Sequence, residues 1–228
     1  MLSKELKMLA MRYMPIIMKD KNEPFPIRNI GITVFDGPKA SITFPRFNID
    51  PGQYGWKMLI EYAVYMDYDI QHLYELEHMW VAVGEDGTVK NCLCSYHGML
   101  MHASGIPDLY QTRNGLPVLY MQPGKHAFMP DPKLFGLHVQ RDTCCRELAG
   151  GGLLIPPMLR DKMSTTPEQD ERIRAYIRKH FSFTPAWEFE PMEPLKEDLY
   201  VTAEELLEMI PRLVEEQLAI IRQDVDEA

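Results

Sequence analysis

The stretch Met58–Val83, MLIEYAVYMDYDIQHLYELEHMWVAV, decides how the chain is read. Residues 58–69 are dense in aromatic and branched side chains and predict a long strand. Residues 75–83 (ELEHMWVAV) predict a second strand, closed by Glu85-Asp86-Gly87. Thr88–Tyr96 follows at once, so these two form a hairpin with a glycine-containing turn.

On either side the punctuation is similar. Ile30–Phe35 and Ser41–Phe44 are β-rich runs set among prolines, and Pro117–Gln122 predicts a strand closed by Pro123-Gly124. Phe135–Gln140 predicts one more. Many short strands at short intervals with Gly/Pro turns give a mainly-β class, an antiparallel β-sandwich. Residues 2–14 alternate apolar and basic at helical spacing, a short N-terminal helix ending before Pro15. Thr166-Pro167 with Gln169 and Thr202 with Glu205 are capping boxes, which open C-terminal helices to about Phe181 and over 203–224. Residues 1–160 therefore form the β-sandwich domain, and 161–228 form a helical extension packed on it as one structural unit.

Composition narrows the function classes. The 228 residues are 46% hydrophobic, enough to bury a core with neither disulfide nor metal. The formal charge is −9, with no Lys/Arg run, which argues against a nucleic-acid partner. No stretch approaches the roughly 20 apolar residues of a membrane span, so no integral membrane association is expected. The N-terminus carries Lys4, Glu5, Lys7 and Arg12 and lacks the form of a signal peptide, giving a cytoplasmic location as the expectation. Cys92-x-Cys94 and Cys144-Cys145 match neither a disulfide framework nor C-x-x-C spacing and read as buried small hydrophobes. Cys144-Cys145 lies beside Arg141 and Arg146, a setting that can lower a thiol pKa.

The densest polar cluster is Asp67, Asp69, His72, Glu75 and Glu77. Strand alternation puts Glu75 and Glu77 on one face with Met79, Val81 and Val83, and Asp67 with Asp69 on one face of the preceding strand. Unpaired buried carboxylates cost several kcal/mol each and hinder one another's ionisation. A divalent cation, basic partners, raised pKa values or exposure at a rim would each compensate. Few basic residues lie nearby in sequence, which favours the cation. Oxygen ligands with one imidazole suit Ca²⁺, Mg²⁺ or Mn²⁺, and Zn²⁺ is also compatible. His97-Gly98 and His126 both follow strands, where either histidine could serve as an acid or base near neutral pH.

At this cluster the sequence resembles the necrosis-inducing-protein-like β-sandwich superfamily, which includes a vacuolar-sorting-type branch. The pattern is His72-Leu-Tyr-Glu75-Leu-Glu77 running into His78-Met-Trp80-Val-Ala-Val83, with Glu75 where the family has aspartate. Ser95-Tyr-His97-Gly98, Val118-Leu-Tyr120 through Lys125-His126-Ala-Phe128, and Arg12-Tyr13-Met-Pro15 are similar to further family elements. Together these cover about residues 12–130. The resemblance implies a divergent, non-secreted member with His72, Glu75 and Glu77 as ligands of a divalent cation, and Asp69 or Asp67 in the place of an upstream aspartate. The set Asp69, His72, Glu75 and Glu77 is the one carried forward.

Three functions follow as expectations. The first is a metal-binding protein whose ion presents an open position to a small polar ligand, a sugar or phosphate head group. The second is a metal-dependent hydrolase or lyase using His97 or His126 as acid/base. The third is a structural or interaction protein with no metal.

Overall fold

The computed structural model describes residues 1–226, and it is sheet-rich with mixed sheets and three α-helices among the described residues. The first strands are β1 (Ile16–Asp20), β2 (Asn29–Phe35), β3 (Lys39–Ala40), β4 (Asn48–Ile49) and β5 (Met58–Tyr68). Next come β6 (Leu73–Val83), β7 (Val89–Tyr96), β8 (Met99–His102), β9 (Gln111–Arg113) and β10 (Leu116–Met121). The last are β11 (Phe128–Met129), β12 (Phe189–Pro191) and β13 (Tyr200–Thr202). The helices are α1 (Lys4–Tyr13), α2 (Pro167–Phe181) and α3 (Ala203–Asp226).

One sheet runs β13-β2-β5-β6-β7-β8, and the other runs β11-β10-β1-β12 with β9 on the edge of β10. Most neighbours are antiparallel, but β1 pairs with β10 and β13 with β2 in parallel. An all-antiparallel arrangement is thereby corrected. Parallel neighbours require long connections, and here about a hundred residues or more separate each pair. The C-terminal segment enters both sheets, β12 in one and β13 in the other.

The hairpin β5–β6 is the longest pairing, from Met58↔Val83 to Tyr68↔Leu73. Its strands are nearly continuous in apolar residues because both faces are covered. On one face Ile60, Val64, Met79 and Val81 join a core that also takes Ile17, Leu119 and Met121 from the other sheet. On the opposite face Leu59, Trp80 and Ala82 pack with Phe35 and Phe47.

Capping at the helices follows the sequence closely. Thr166 and Gln169 exchange backbone and side-chain bonds at the start of α2, as do Thr202 and Glu205 at the start of α3. Two strand expectations fail. Ser41–Phe44 is a turn, because the Ser41 hydroxyl accepts from Phe44 N–H and Thr43 is drawn inward to Glu61. Phe135–Gln140 begins in a 3₁₀ turn (Pro132–Leu137), started by the Asp131 carboxylate accepting from Lys133 N–H with Pro132 in the first position. No helix among the described residues is long and apolar enough to cross a membrane.

Candidate metal centre

The centre is built where β5 gives way to β6. The chain leaves β5 at Tyr68 and turns back through Asp69-Ile-Gln-His72. The Asp69 carboxylate fixes this turn by accepting from the backbone N–H groups of Gln71 at 2.6 Å and His72 at 2.7 Å. Ile70 N–H donates to the Gly124 carbonyl at 2.7 Å, and Leu73 N–H donates to that of Gly152 at 3.1 Å. The Gly150–Gly152 run thus seats the turn. A Cβ on Gly151 would lie 2.0 Å from the Gln71 carbonyl oxygen, so no larger residue fits there.

Asp69, His72 and Glu75 each aim one donor atom into the same space, all within 4.8 Å of one another. His72 Nε2 lies 3.3 Å from Asp69 Oδ2 and 4.0 Å from Glu75 Oε2. His72 Nδ1 lies 2.7 Å from the Tyr74 carbonyl oxygen. A carbonyl only accepts, so Nδ1 carries the proton and neutral His72 turns the Nε2 lone pair toward the two carboxylates. Tyr74 itself holds a left-handed backbone, φ +80°, and three of the five non-glycine residues in that region among the described residues (Tyr74, His97 and His126) border this site.

Glu77 follows Glu75 on the same side of β6. It accepts from the Ser95 hydroxyl, and Ser95 Oγ also accepts from His78 N–H at 2.6 Å. Asp67 does not join them. Its carboxylate accepts from Gln217 at 3.2 Å and lies 3.9 Å from Arg28. The strand ends at Tyr68, so the alternation that would align Asp67 with Asp69 stops between them.

Two basic residues invisible to local spacing complete the electrostatics. The Lys125 ammonium contacts Asp69 Oδ2, and buried His126 Nε2 lies 3.2 Å from buried Glu23. Burial pushes the Asp69 carboxyl up, but His72, whenever it is protonated, and the Lys125 ammonium outweigh it and hold it below its usual value. For Glu75 burial dominates, reinforced by Asp69 and Glu77, and its carboxyl is raised well above the ordinary range. Burial lifts Glu77 to about 7, against the Ser95 hydrogen bond. Burial lowers the His72 pKa more than Asp69 raises it, which keeps the imidazole neutral. The result is a centre in which the Lys125 ammonium balances Asp69 while Glu75 and Glu77 are held toward their protonated forms.

Four of these residues, His72, Glu75, Glu77 and Lys125, open onto a cavity of about 590 Å³. They line its base, and Phe44 and Met158 contribute to its apolar walls. His97 lines the cavity and lies 3.0 Å from Gln122 Oε1, its pKa lowered to about 4 chiefly by burial. His126 is fully buried and does not line the cavity. Lys125, Ser95 and Glu23 were the residues that sequence reasoning missed. The only local signal was the Pro123-Gly124 turn, which delivers Lys125 and His126 together.

No protein family, curated protein or solved structure matches this chain.

Proposed function

We propose that the chain is a two-layer β-sandwich that holds a divalent cation at Asp69, His72 and Glu75, with Glu77 beside them. The ion presents an open position to a polar ligand, a sugar or phosphate head group, in the cavity above. It is a divergent relative of the necrosis-inducing-protein-like superfamily. The spacing His72-x-x-Glu75-x-Glu77 at the start of a strand supports that relationship, and the core shared by both sheets supports the two layers.

One observation carries the metal reading. The Tyr74 carbonyl fixes the His72 tautomer, so that a neutral nitrogen lone pair faces two carboxylate oxygens. Three electron-pair donors turned toward one another repel unless a proton or a cation lies between them. The donor set suits Ca²⁺, Mg²⁺ or Mn²⁺, and Zn²⁺ is also compatible. When bound, such an ion supplies Lewis acidity and a site for an oxygen ligand. The protein's own part is to orient the donors, with Lys125 balancing charge on Asp69.

A second reading, a metal-dependent hydrolase or lyase, is favoured by Glu77, a carboxyl near neutrality on the cavity floor with His97 at the wall. His97 is then the acid or base that reaches the ligand, and His126 positions the Lys125 turn.

Titration with Mn²⁺ while following solvent proton relaxation tests the open position. Enhanced relaxation with a saturating stoichiometry of one ion, abolished in His72→Ala, supports the proposal. Binding without enhancement would mean a closed structural site, and absence of binding would leave a carboxylate-lined cavity without an ion.

A further inference from the structure

Against the Pro123-Gly124 turn lies a pair of adjacent thiols that the metal centre does not use. Cys144 and Cys145 are both buried, and their sulfurs are 3.6 Å apart. They sit in a run of single turns, where Cys144 N–H donates to Gln140 and Arg146 N–H donates to Thr143, outside any sheet or α-helix. Such a segment can adjust its backbone without breaking a ladder. Cys145 Sγ lies 3.3 Å from the Pro123 carbonyl oxygen, and a Cβ on Gly124 would stand 2.8 Å from that sulfur. The pair therefore packs directly on the turn that delivers Lys125 to Asp69.

We propose that Cys144 and Cys145 form a redox-sensitive modification site, closed by a hydroperoxide into a vicinal disulfide that reports to the Lys125 turn. The Cys145 S–H and the Lys125 charge hold the Cys144 thiol below its ordinary pKa, whereas Cys145 is pushed up. Cys144 is thus the attacking sulfur. Its thiolate attacks one peroxide oxygen; an S–O bond forms, the O–O bond breaks, and the departing oxygen takes up the proton that the Cys144 thiol gave up and leaves as water or an alcohol. The Cys145 sulfur then attacks the sulfenic sulfur; the S–S bond forms, the S–O bond breaks, and the hydroxyl departs as water with the Cys145 proton. Two thiols lose two electrons, and the hydroperoxide gains them.

Closure must bring the sulfurs from 3.6 Å to about 2.05 Å. It also removes the Cys145 S–H, which lies within reach of both the Cys144 sulfur and the Pro123 carbonyl. Consecutive Cα atoms are about 3.8 Å apart, shorter than the usual disulfide separation of about 4.4–6.8 Å, so the ring is of the strained, labile kind that reductants reopen. Gly124 packs on the moving sulfur, and its carbonyl accepts from Ile70 N–H beside Asp69. The turn between the thiols and Asp69 therefore changes when the ring closes.

The test uses the full chain, reduced and in metal-free buffer, so its result is independent of whether a cation binds. After hydrogen peroxide, intact mass should fall by two hydrogens, and two of the four thiols should disappear. Peptide mapping should show a Cys144–Cys145 link that dithiothreitol reverses. Cys145→Ser should stop at a sulfenic acid trapped by dimedone, and Cys144→Ser should not react. Amide exchange in residues 122–127 should quicken roughly threefold or more in the oxidised form. Retention of all four thiols, a Cys92–Cys94 link, cross-linked chains or direct passage to sulfinic acid would overturn the assignment. Unchanged exchange in residues 122–127 would overturn the coupling to the turn.

Discussion

His72 donates its Nδ1 proton to the carbonyl of Tyr74, two residues on, at 2.7 Å. That bond leaves Nε2 unprotonated beside Asp69 and Glu75, and it makes His72 the hinge of the metal reading. Replacing His72 with Ala should weaken Mn²⁺ or Zn²⁺ binding by roughly 100-fold or more. The side chain is only partly buried, so the fold should lose no more than about 1 kcal/mol. Calorimetric titration alongside thermal melting separates the two effects.

Lys125 should act in the opposite direction on the ion. Its ammonium already neutralises Asp69. In Lys125→Met the cation meets less repulsion, and its affinity should rise about tenfold. The metal-free variant should be destabilised by roughly 3–5 kcal/mol, because a buried carboxylate loses its partner. Added metal should then raise the melting temperature of this variant more than that of the parent.

Glu77 gives a pH signature with a defined sign. Its folded pKa is raised from 4.5 to about 7. Between those values the folded state binds more protons than the unfolded state, so its contribution to stability falls as pH rises. His72 and His78 have lowered pKa values and slope the other way, but only below their ordinary range near 6.5. Comparison with Glu77→Gln isolates the carboxyl. Without metal, the stability of the parent relative to this variant should drop by on the order of 2 kcal/mol between pH 5 and pH 8. Denaturant unfolding at both pH values checks it.

Glu61 offers a purely structural test on the opposite face of the same hairpin. It is fully buried and accepts from Trp80 Nε1–H at 2.7 Å and from the Thr43 hydroxyl at 2.9 Å. Glu61→Ala should cost about 3 kcal/mol by stranding both donors and opening a cavity. It should also loosen the turn that holds Phe44 in the cavity wall. Glu61→Gln should cost much less, since the amide keeps an acceptor. Urea unfolding of both variants gives the comparison.

Much of this was legible from local residue order. The Met58–Val83 hairpin is carried by side chains that read as strand in any context. Thr166-Pro167-x-Gln169 and Thr202-x-x-Glu205 specify their helix starts within four residues. His72, Glu75 and Glu77 lie within one short run, so strand alternation sufficed to place the two glutamates on one side. What failed depends on distant partners. The β1–β10 and β2–β13 parallel pairings leave no mark at either strand. Lys125 meets Asp69 across 56 positions, and His126 meets Glu23 across 103. The Ser41–Phe44 run looks like a strand because Ile42 and Phe44 alternate with polar residues, yet Ile42 is exposed and it is buried Ser41 and Thr43 that bind the run into a turn. Asp67 was expected beside Asp69 by a parity that ends with the strand at Tyr68.

Elemental analysis of gently purified protein, beside a Glu75→Ala/Glu77→Ala variant, tests the metal centre most directly. The account predicts close to one divalent cation per chain, released by chelation with a fall in melting temperature and missing from the variant. No metal in the parent, together with an unchanged melting temperature on adding Ca²⁺, Mg²⁺, Mn²⁺ or Zn²⁺, would contradict it.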